Sequence, residues 1–265
     1  MESRGIVLLA GGPIYTLNAY LNCRLLRWMG CSLPIEWHHL GPEIPAAYQA
    51  LIADLPGVRL HDLGGDGSEQ TKEKGGWQAK VEAILASQFR HVLWLDADCF
   101  PIRDPEYLFD HPYYRDAGCV LWPDPHVWSS ADLERLHGAF GVLLPSRQVE
   151  SGQMMFDVER CQAGLLATRA LNQDHVHTYS HLYGDKDTFL IGALQADSPV
   201  RICPHRHDGM RLGMRHKDFD GQPLFCHLAG GKWRPHGRAF VTEADYPLRP
   251  QALAIIAELR SAGVL

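Results

Sequence analysis

Asp96 and Asp98 stand one residue apart at the end of the apolar run Val92-Leu93-Trp94-Leu95. Two carboxylates side by side at the end of a buried strand are costly unless a cation neutralises them. Carboxylate oxygens suit hard divalent ions such as Mn2+ and Mg2+, which keep positions open for water and substrate phosphates. The spacing therefore points to a metal site that holds a phosphorylated ligand. The plain alternative is a strand end capped by solvated aspartates. Three more polar clusters follow the expected ends of strands: Glu150 to Gln153, Asp185 to Asp187, and His227 to Lys232. The imidazole of His227 beside two carboxylates makes a partial coordination shell for Mn2+. Lys232 and the backbone N–H groups of Gly230 and Gly231 offer contacts to phosphate oxygens.

If one largely parallel sheet carries all of these clusters, they can converge on one cleft. The chain reads as alternating strands and helices. Ile6 to Ala10 is a first strand, and Gly11-Gly12 after it lets the backbone approach a ligand. No G-x-G-x-x-G follows, so the dinucleotide fingerprint is absent. Helices are expected over 18–29, 45–55, 77–88, 131–140, 161–171, 188–194 and 251–261 from their apolar spacing. Further strands are expected over 35–40, 58–60, 92–95, 118–122, 154–157 and 224–227, with 149–153 as a polar loop and 64–68 as a glycine-rich loop. Lys80 falls in the helix that leads into the Asp96 strand. It is either a snorkelling surface lysine or a cation near the ligand edge. Asp187 stands where it could cap the helix from Thr188. Residues 201–217 crowd Arg201, His205, Arg206, His207, Arg211, Arg215, His216 and Lys217 together. Such a run is a solvated face or, turned toward an anionic ligand, a phosphate clamp that covers the site as a mobile lid.

The chain has 265 residues, 46% of them apolar, enough for one large α/β domain. A net charge of −6 disfavours general nucleic-acid binding. Seven cysteines without any C-x-x-C pair argue against a disulfide framework or zinc cluster and for a reducing compartment. No stretch reads as a signal peptide or transmembrane span, so a cytoplasmic location is expected.

From Lys80-Val81-Glu82-Ala83-Ile84-Leu85 through Asp96-Ala97-Asp98, Pro101, Asp104-Pro105, Leu108-Phe109 and Trp122-Pro123-Asp124, the sequence resembles the fungal Golgi α-mannosyltransferases. Glu150-Ser151-Gly152-Gln153-Met154 and Gly184-Asp185-Lys186-Asp187-Thr188-Phe189 continue that likeness in order. More distantly, His227 and Gly230 with Lys232 and Trp233 resemble the C-terminal motif of glycogenin-type glycosyltransferases. The glycine-to-lysine spacing is one shorter here, and Lys186 stands where those enzymes carry glutamine. The resemblance implies a GT-A fold, a Rossmann-like mixed α/β sheet with helices on both faces, as a single domain over 1–265. It implies a retaining hexosyltransferase, mannose being the expected sugar, that makes α-linkages to an acceptor hydroxyl. The implied cofactor is Mn2+ or Mg2+, held by Asp96, Asp98 and His227. The implied donor is a nucleoside-diphosphate sugar, bound by Ala10, Gly11, Lys80, Asp96, Ala97, Asp98, Gln153, Gly230 and Lys232. Asp185, Asp187 and Glu150 are then the candidates for stabilising the sugar or positioning the acceptor. Competing readings are a nucleotidyltransferase on a similar fold, a non-catalytic nucleotide-sugar-binding protein, and a haloacid-dehalogenase phosphatase. The last expects Thr or Val two residues after the second aspartate, where this chain has Phe100.

Overall fold

Residues 3–64, 76–236 and 242–265 are described by the computed structural model. The first half of the chain forms β1 (Arg4–Leu9), α1 (Gly12–Trp28), β2 (Ile35–His39), α2 (Ala46–Ala53), β3 (Val58–Asp62), α3 (Ala79–Ala86), β4 (His91–Leu95), β5 (Cys99–Pro101), α4 (Pro112–Ala117) and β6 (Cys119–Val127). The second half forms α5 (Ser130–Phe140), β7 (Arg147–Asp157), α6 (Gln162–Gln173), α7 (His175–His181), α8 (Thr188–Gln195), β8 (Arg201–Ile202), β9 (Asp208–Met210), β10 (Gly213–Lys217), β11 (Pro223–His227) and α9 (Arg249–Ser261).

A seven-stranded sheet runs in the order β3-β2-β1-β4-β7-β6-β8, and a four-stranded sheet in the order β5-β11-β10-β9. β1 to β4 are mutually parallel, and β7 enters antiparallel between β4 and β6. Alternate residues of one strand face opposite layers. Ile6, Leu8, Leu93 and Leu95 pack with residues of α1 and α9, whereas Val7, Val92 and Trp94 pack with residues of α3, α6 and α8. Both faces of the central strands are thus covered by helices, which is why these strands are apolar almost throughout.

The turn Asp96-Ala97-Asp98 joins the two sheets, because β4 belongs to the first and β5 to the second. The Asp96 N–H donates to Gly152 O at 2.8 Å, which ties the turn to β7. Cys99 pairs with His227 in the β5–β11 ladder, and the Leu228 N–H donates to Asp98 O at 2.9 Å. Backbone pairing alone therefore brings three of the polar clusters together.

Most expected elements are present, with informative differences. Residues 149–153 are not a loop but the middle of β7. Their polar side chains break the strand pattern because buried charges, rather than apolar neighbours, receive them. α1 begins at Gly12 instead of residue 18, with a proline in its first turn, where a missing N–H costs nothing. α7 carries no apolar period in His175-Val176-His177-Thr178-Tyr179-Ser180-His181, and only tertiary packing on Thr178 and Tyr179 reveals it. The loop expected at 64–68 lies, from residue 65 on, outside the described residues. The 201–217 segment does not cover the site. It forms β8 to β10, and Met214 is its one residue on the cavity described below. Two of its cations have partners elsewhere: Lys217 Nζ lies 2.9 Å from Asp208 Oδ1, and Arg215 donates to Ala244 O and Asp245 O. No helix among the described residues is long and apolar enough to cross a membrane.

Asn18 of α1 holds the segment that carries Lys232. Its Nδ2 donates to Trp233 O at 2.9 Å and its Oδ1 accepts the Trp233 N–H at 3.0 Å, all buried. Asn18→Ala leaves both backbone groups unsatisfied and is expected to cost about 1–3 kcal/mol, read as a lower midpoint in urea denaturation.

Candidate active site

The carboxyl ends of β1, β4 and β11, the middle of β7 and the turn before α8 surround a cavity of about 1110 Å3. Its lining includes Ala10, Gly11, Lys80, Asp96, Ala97, Asp98, Glu150, Asp185, His227 and Lys232. Ten of the residues expected from the sequence therefore meet at one place. Asp96, Asp98 and His227 present ligand atoms that all lie within 4.8 Å of one another, and the two carboxylates and imidazole suit Mn2+ or Mg2+.

Glu150 acts behind this triad. Its Oε1 lies 3.1 Å from His227 Nδ1 and accepts the Gly152 N–H at 3.0 Å. With Nδ1 turned to a carboxylate, Nε2 faces the aspartates, 3.6 Å from Asp98 Oδ1 and 3.9 Å from Asp96 Oδ2. Carboxylate support of this kind sets the ring orientation and tautomer of a metal-binding histidine. Gly152 allows it, since a Cβ there would lie 2.5 Å from His227 Nδ1. Glu150→Gln is expected to weaken Mn2+ binding about 10–100-fold, measured by calorimetric titration.

The charges are arranged in pairs. Lys232 Nζ lies 2.6 Å from Asp98 Oδ2. Lys80, buried rather than snorkelling, sits 2.9 Å from Asp96 Oδ1 and 3.2 Å from Asp185 Oδ2, and donates to Ser151 Oγ at 2.9 Å. Trp94 Nε1–H donates to Asp96 Oδ1 at 2.9 Å. Burial opposes ionisation of Asp98 and Glu150, but their neighbours together outweigh it, His227 foremost in both, with Lys232 at Asp98 and Lys80 at Glu150, and hold both carboxyls well below their usual range. Burial likewise disfavours the charged forms of His227 and Lys80. Glu150 and Asp98 nevertheless raise His227, and Asp185 and Asp96 raise Lys80. At Asp185 burial dominates and lifts the carboxyl to about 6, against the pull of Lys80.

Three expected site residues stand elsewhere. Asp187 is buried behind the cavity wall, where its Oδ1 accepts the Val149 N–H at 3.0 Å and makes no side-chain cap on α8. Gln153 is fully buried between strands, accepting from Cys99 Sγ at 3.1 Å. Gly230 gives its N–H to Leu212 O at 3.0 Å, and the Gly231 N–H goes to Leu228 O at 2.9 Å, so neither glycine N–H is left for phosphate. Asp124, His126, Trp77 and Tyr183 also line the cavity, though sequence reading assigned them no role. For Asp124 the signal was its place after the apolar strand ending at Trp122.

Residues 3–136 match the model of a family described as "Mannosyltransferase putative". Alpha-1,2-mannosyltransferase MNN22 of Candida albicans is 32% identical over 242 residues, covering 72% of this chain and 40% of that protein. Alpha-1,2-mannosyltransferase MNN2 of Saccharomyces cerevisiae is 34% identical over 127 residues, covering 46% of this chain and 21% of that protein. The chain thus spans less than half the length of these curated relatives. An active-site mutant of LgtC superimposes with a TM-score of 0.58 at 15% identity, covering 97% of this chain and 95% of that one. Galactosyltransferase LgtC with donor and acceptor sugar analogues gives 0.50 at 15% identity over 75% of this chain and 73% of that one. GlyE of Streptococcus pneumoniae TIGR4 gives 0.54 at 15% identity over 99% and 64%. The fold is the GT-A fold of glycosyltransferases.

Proposed function

Because the chain belongs to this mannosyltransferase family, we propose that it transfers a hexosyl group, mannosyl by its relatives' names, from a nucleoside-diphosphate sugar to an acceptor hydroxyl. The new linkage is α, with retention at the anomeric carbon, and residues 1–265 act as one GT-A unit. The observation that carries this reading is the clustering of Asp96, Asp98 and His227 within 4.8 Å, flanked by Lys80 and Lys232 on one cavity wall. A leaving diphosphate gains negative charge as the glycosidic bond breaks, and a divalent cation held by the triad would supply Lewis-acid stabilisation of that charge.

The chain's own groups do the rest. Lys232, paired with Asp98 at 2.6 Å, is placed to turn its ammonium toward a phosphate oxygen. Lys80 bridges Asp96 and Asp185, so the carboxylate that faces the sugar is held in register with the metal-binding turn. Asp185 lines the cavity and stabilises positive charge developing on the sugar ring. Glu150 orients His227 instead of touching substrate, and Asp187 anchors β7.

The test is a donor screen with purified protein, Mn2+ and a panel including GDP-mannose, UDP-glucose and UDP-galactose. Release of GDP from GDP-mannose, abolished by EDTA, is the expected result. Pyrophosphate as the product would replace this reading with a nucleotidyltransferase. Donor binding without release of any product would replace it with a non-catalytic binding protein.

A further inference from the structure

Trp94 lines the cavity although it is only 1% exposed. Side chains two apart on a strand project from the same side, and Trp94 stands two residues before Asp96. The indole reaches along that side, and its Nε1–H donates to Asp96 Oδ1 at 2.9 Å. The ring itself belongs to the apolar cluster of Val7, Val81, Ile84 and Met154, and the Lys80 ammonium lies 5.6 Å from its centroid. A ring packed in this way has one orientation, so its N–H has one direction.

Asp96 is therefore held unevenly. Its Oδ1 has the indole N–H and Lys80 Nζ, each at 2.9 Å. A carboxylate oxygen offers about two lone-pair sites, and both of these are taken from the protein side. Oδ2 has Lys80 at 3.2 Å and faces His227 Nε2, 3.9 Å away. Drawing Oδ1 onto a metal as well would take the acceptor from a buried indole N–H, which is the costly outcome for a buried donor. Ca2+ fills about six to eight positions and readily takes both oxygens of one carboxylate. Mg2+ keeps a near-ideal octahedron with few protein oxygens, and Mn2+ shares that octahedral habit. Confining Asp96 to one oxygen favours the second kind of ion.

We propose that Trp94 is a positioning residue that confines Asp96 to ligation through Oδ2, and that it thereby sets the preference of the site for Mn2+ or Mg2+ over Ca2+. Lys80 holds the same Oδ1, but Trp94 is the donor that carries no charge. Its N–H can therefore be removed without changing the charge of the site. The proposal rests on the metal-binding reading above and adds to it which ions the site accepts.

The experiment titrates the full chain with MnCl2 alone and with CaCl2 alone by calorimetry, without donor or turnover. The parent protein is expected to bind Mn2+ more tightly than Ca2+, and equal affinities overturn the proposal. Trp94→Phe is expected to weaken Mn2+ binding about tenfold and to leave Ca2+ binding unchanged or tighter, so that the ratio narrows at least about tenfold. A general loosening of the strand end would lower both affinities alike. An unchanged ratio in folded Trp94→Phe therefore overturns the proposal, whether or not both affinities fall. Benzothienylalanine at position 94 keeps the bicyclic shape and lacks the N–H donor. It reports the same narrowing where Trp94→Phe does not fold, and an unchanged ratio there overturns the proposal equally. Asp98→Ala separates the two readings. No Mn2+ binding by the parent, or binding that Asp98→Ala leaves intact, overturns the metal site itself and the proposal with it. Binding that Asp98→Ala removes, with a ratio that Trp94→Phe leaves unchanged, overturns the role of Trp94 alone.

Discussion

Asp98→Ala is expected to abolish Mn2+-dependent release of nucleoside diphosphate, lowering turnover by about a thousandfold or more, the several kcal/mol that metal charge stabilisation is worth. Asp98 is 3% exposed and lies at the meeting point of His227 and Lys232, 3.6 Å and 2.6 Å away. Its loss removes one of three ligand groups and leaves Lys232 without the anion that positions it. The backbone survives the change. The Leu228 N–H still donates to Asp98 O, so β11 stays docked and circular dichroism should remain that of the parent protein. Near-normal turnover with undiminished Mn2+ dependence in Asp98→Ala would show that the metal site has been misassigned.

Asp185→Asn should lower transfer about 100-fold while donor affinity changes little. Asparagine keeps the volume of the side chain but not its charge. Lys80 retains Asp96 at 2.9 Å and Ser151 Oγ at 2.9 Å, so the turn that carries the metal ligands is not released. What disappears is the charge of a carboxylate that lines the cavity and is paired with Lys80 rather than with His227 or Lys232. Asp187→Asn is the matched control, because the amide oxygen can still accept the Val149 N–H that Asp187 Oδ1 accepts now. Transfer by Asp187→Asn within a few-fold of the parent is expected, measured in the same radiolabelled-sugar assay. A larger loss in Asp187→Asn than in Asp185→Asn would reverse the two roles.

Much of this was legible in the chain alone. The runs Ile6 to Leu9 and Val92 to Leu95 are short, unbroken and apolar and read as strands covered on both faces, which they are. A strand that ends in Asp96-Ala97-Asp98 puts its carboxylates at the ligand edge of the sheet, and the local order of polar clusters predicted which segments face the cavity. Such features depend on hydrophobic patterning and on turns spanning a few residues, and both are written locally.

Only the tertiary structure decided which atom of each cluster does what. Asp98 and His227 meet because β5 pairs with β11, a contact between segments far apart in the chain. A strand sends successive side chains to opposite sides, so the register of β7 against β4 determines that Glu150 turns to His227 while Gln153 is sealed between strands. The spacing of Asp185 and Asp187 could not tell which faces the cavity, and the turn before α8 sends the first to Lys80 and the second to Val149. Gly230 and Gly231 read as phosphate donors until the backbone showed their N–H groups already bonded to Leu212 and Leu228. The basic run of 201–217 read as a clamp, yet strand pairing divides it between the β8 edge of the first sheet and β9 and β10 of the second, and gives Lys217 and Arg215 partners away from the cavity. In each case long-range hydrogen-bond pairing, which no local pattern encodes, set the direction of the side chain or removed the donor.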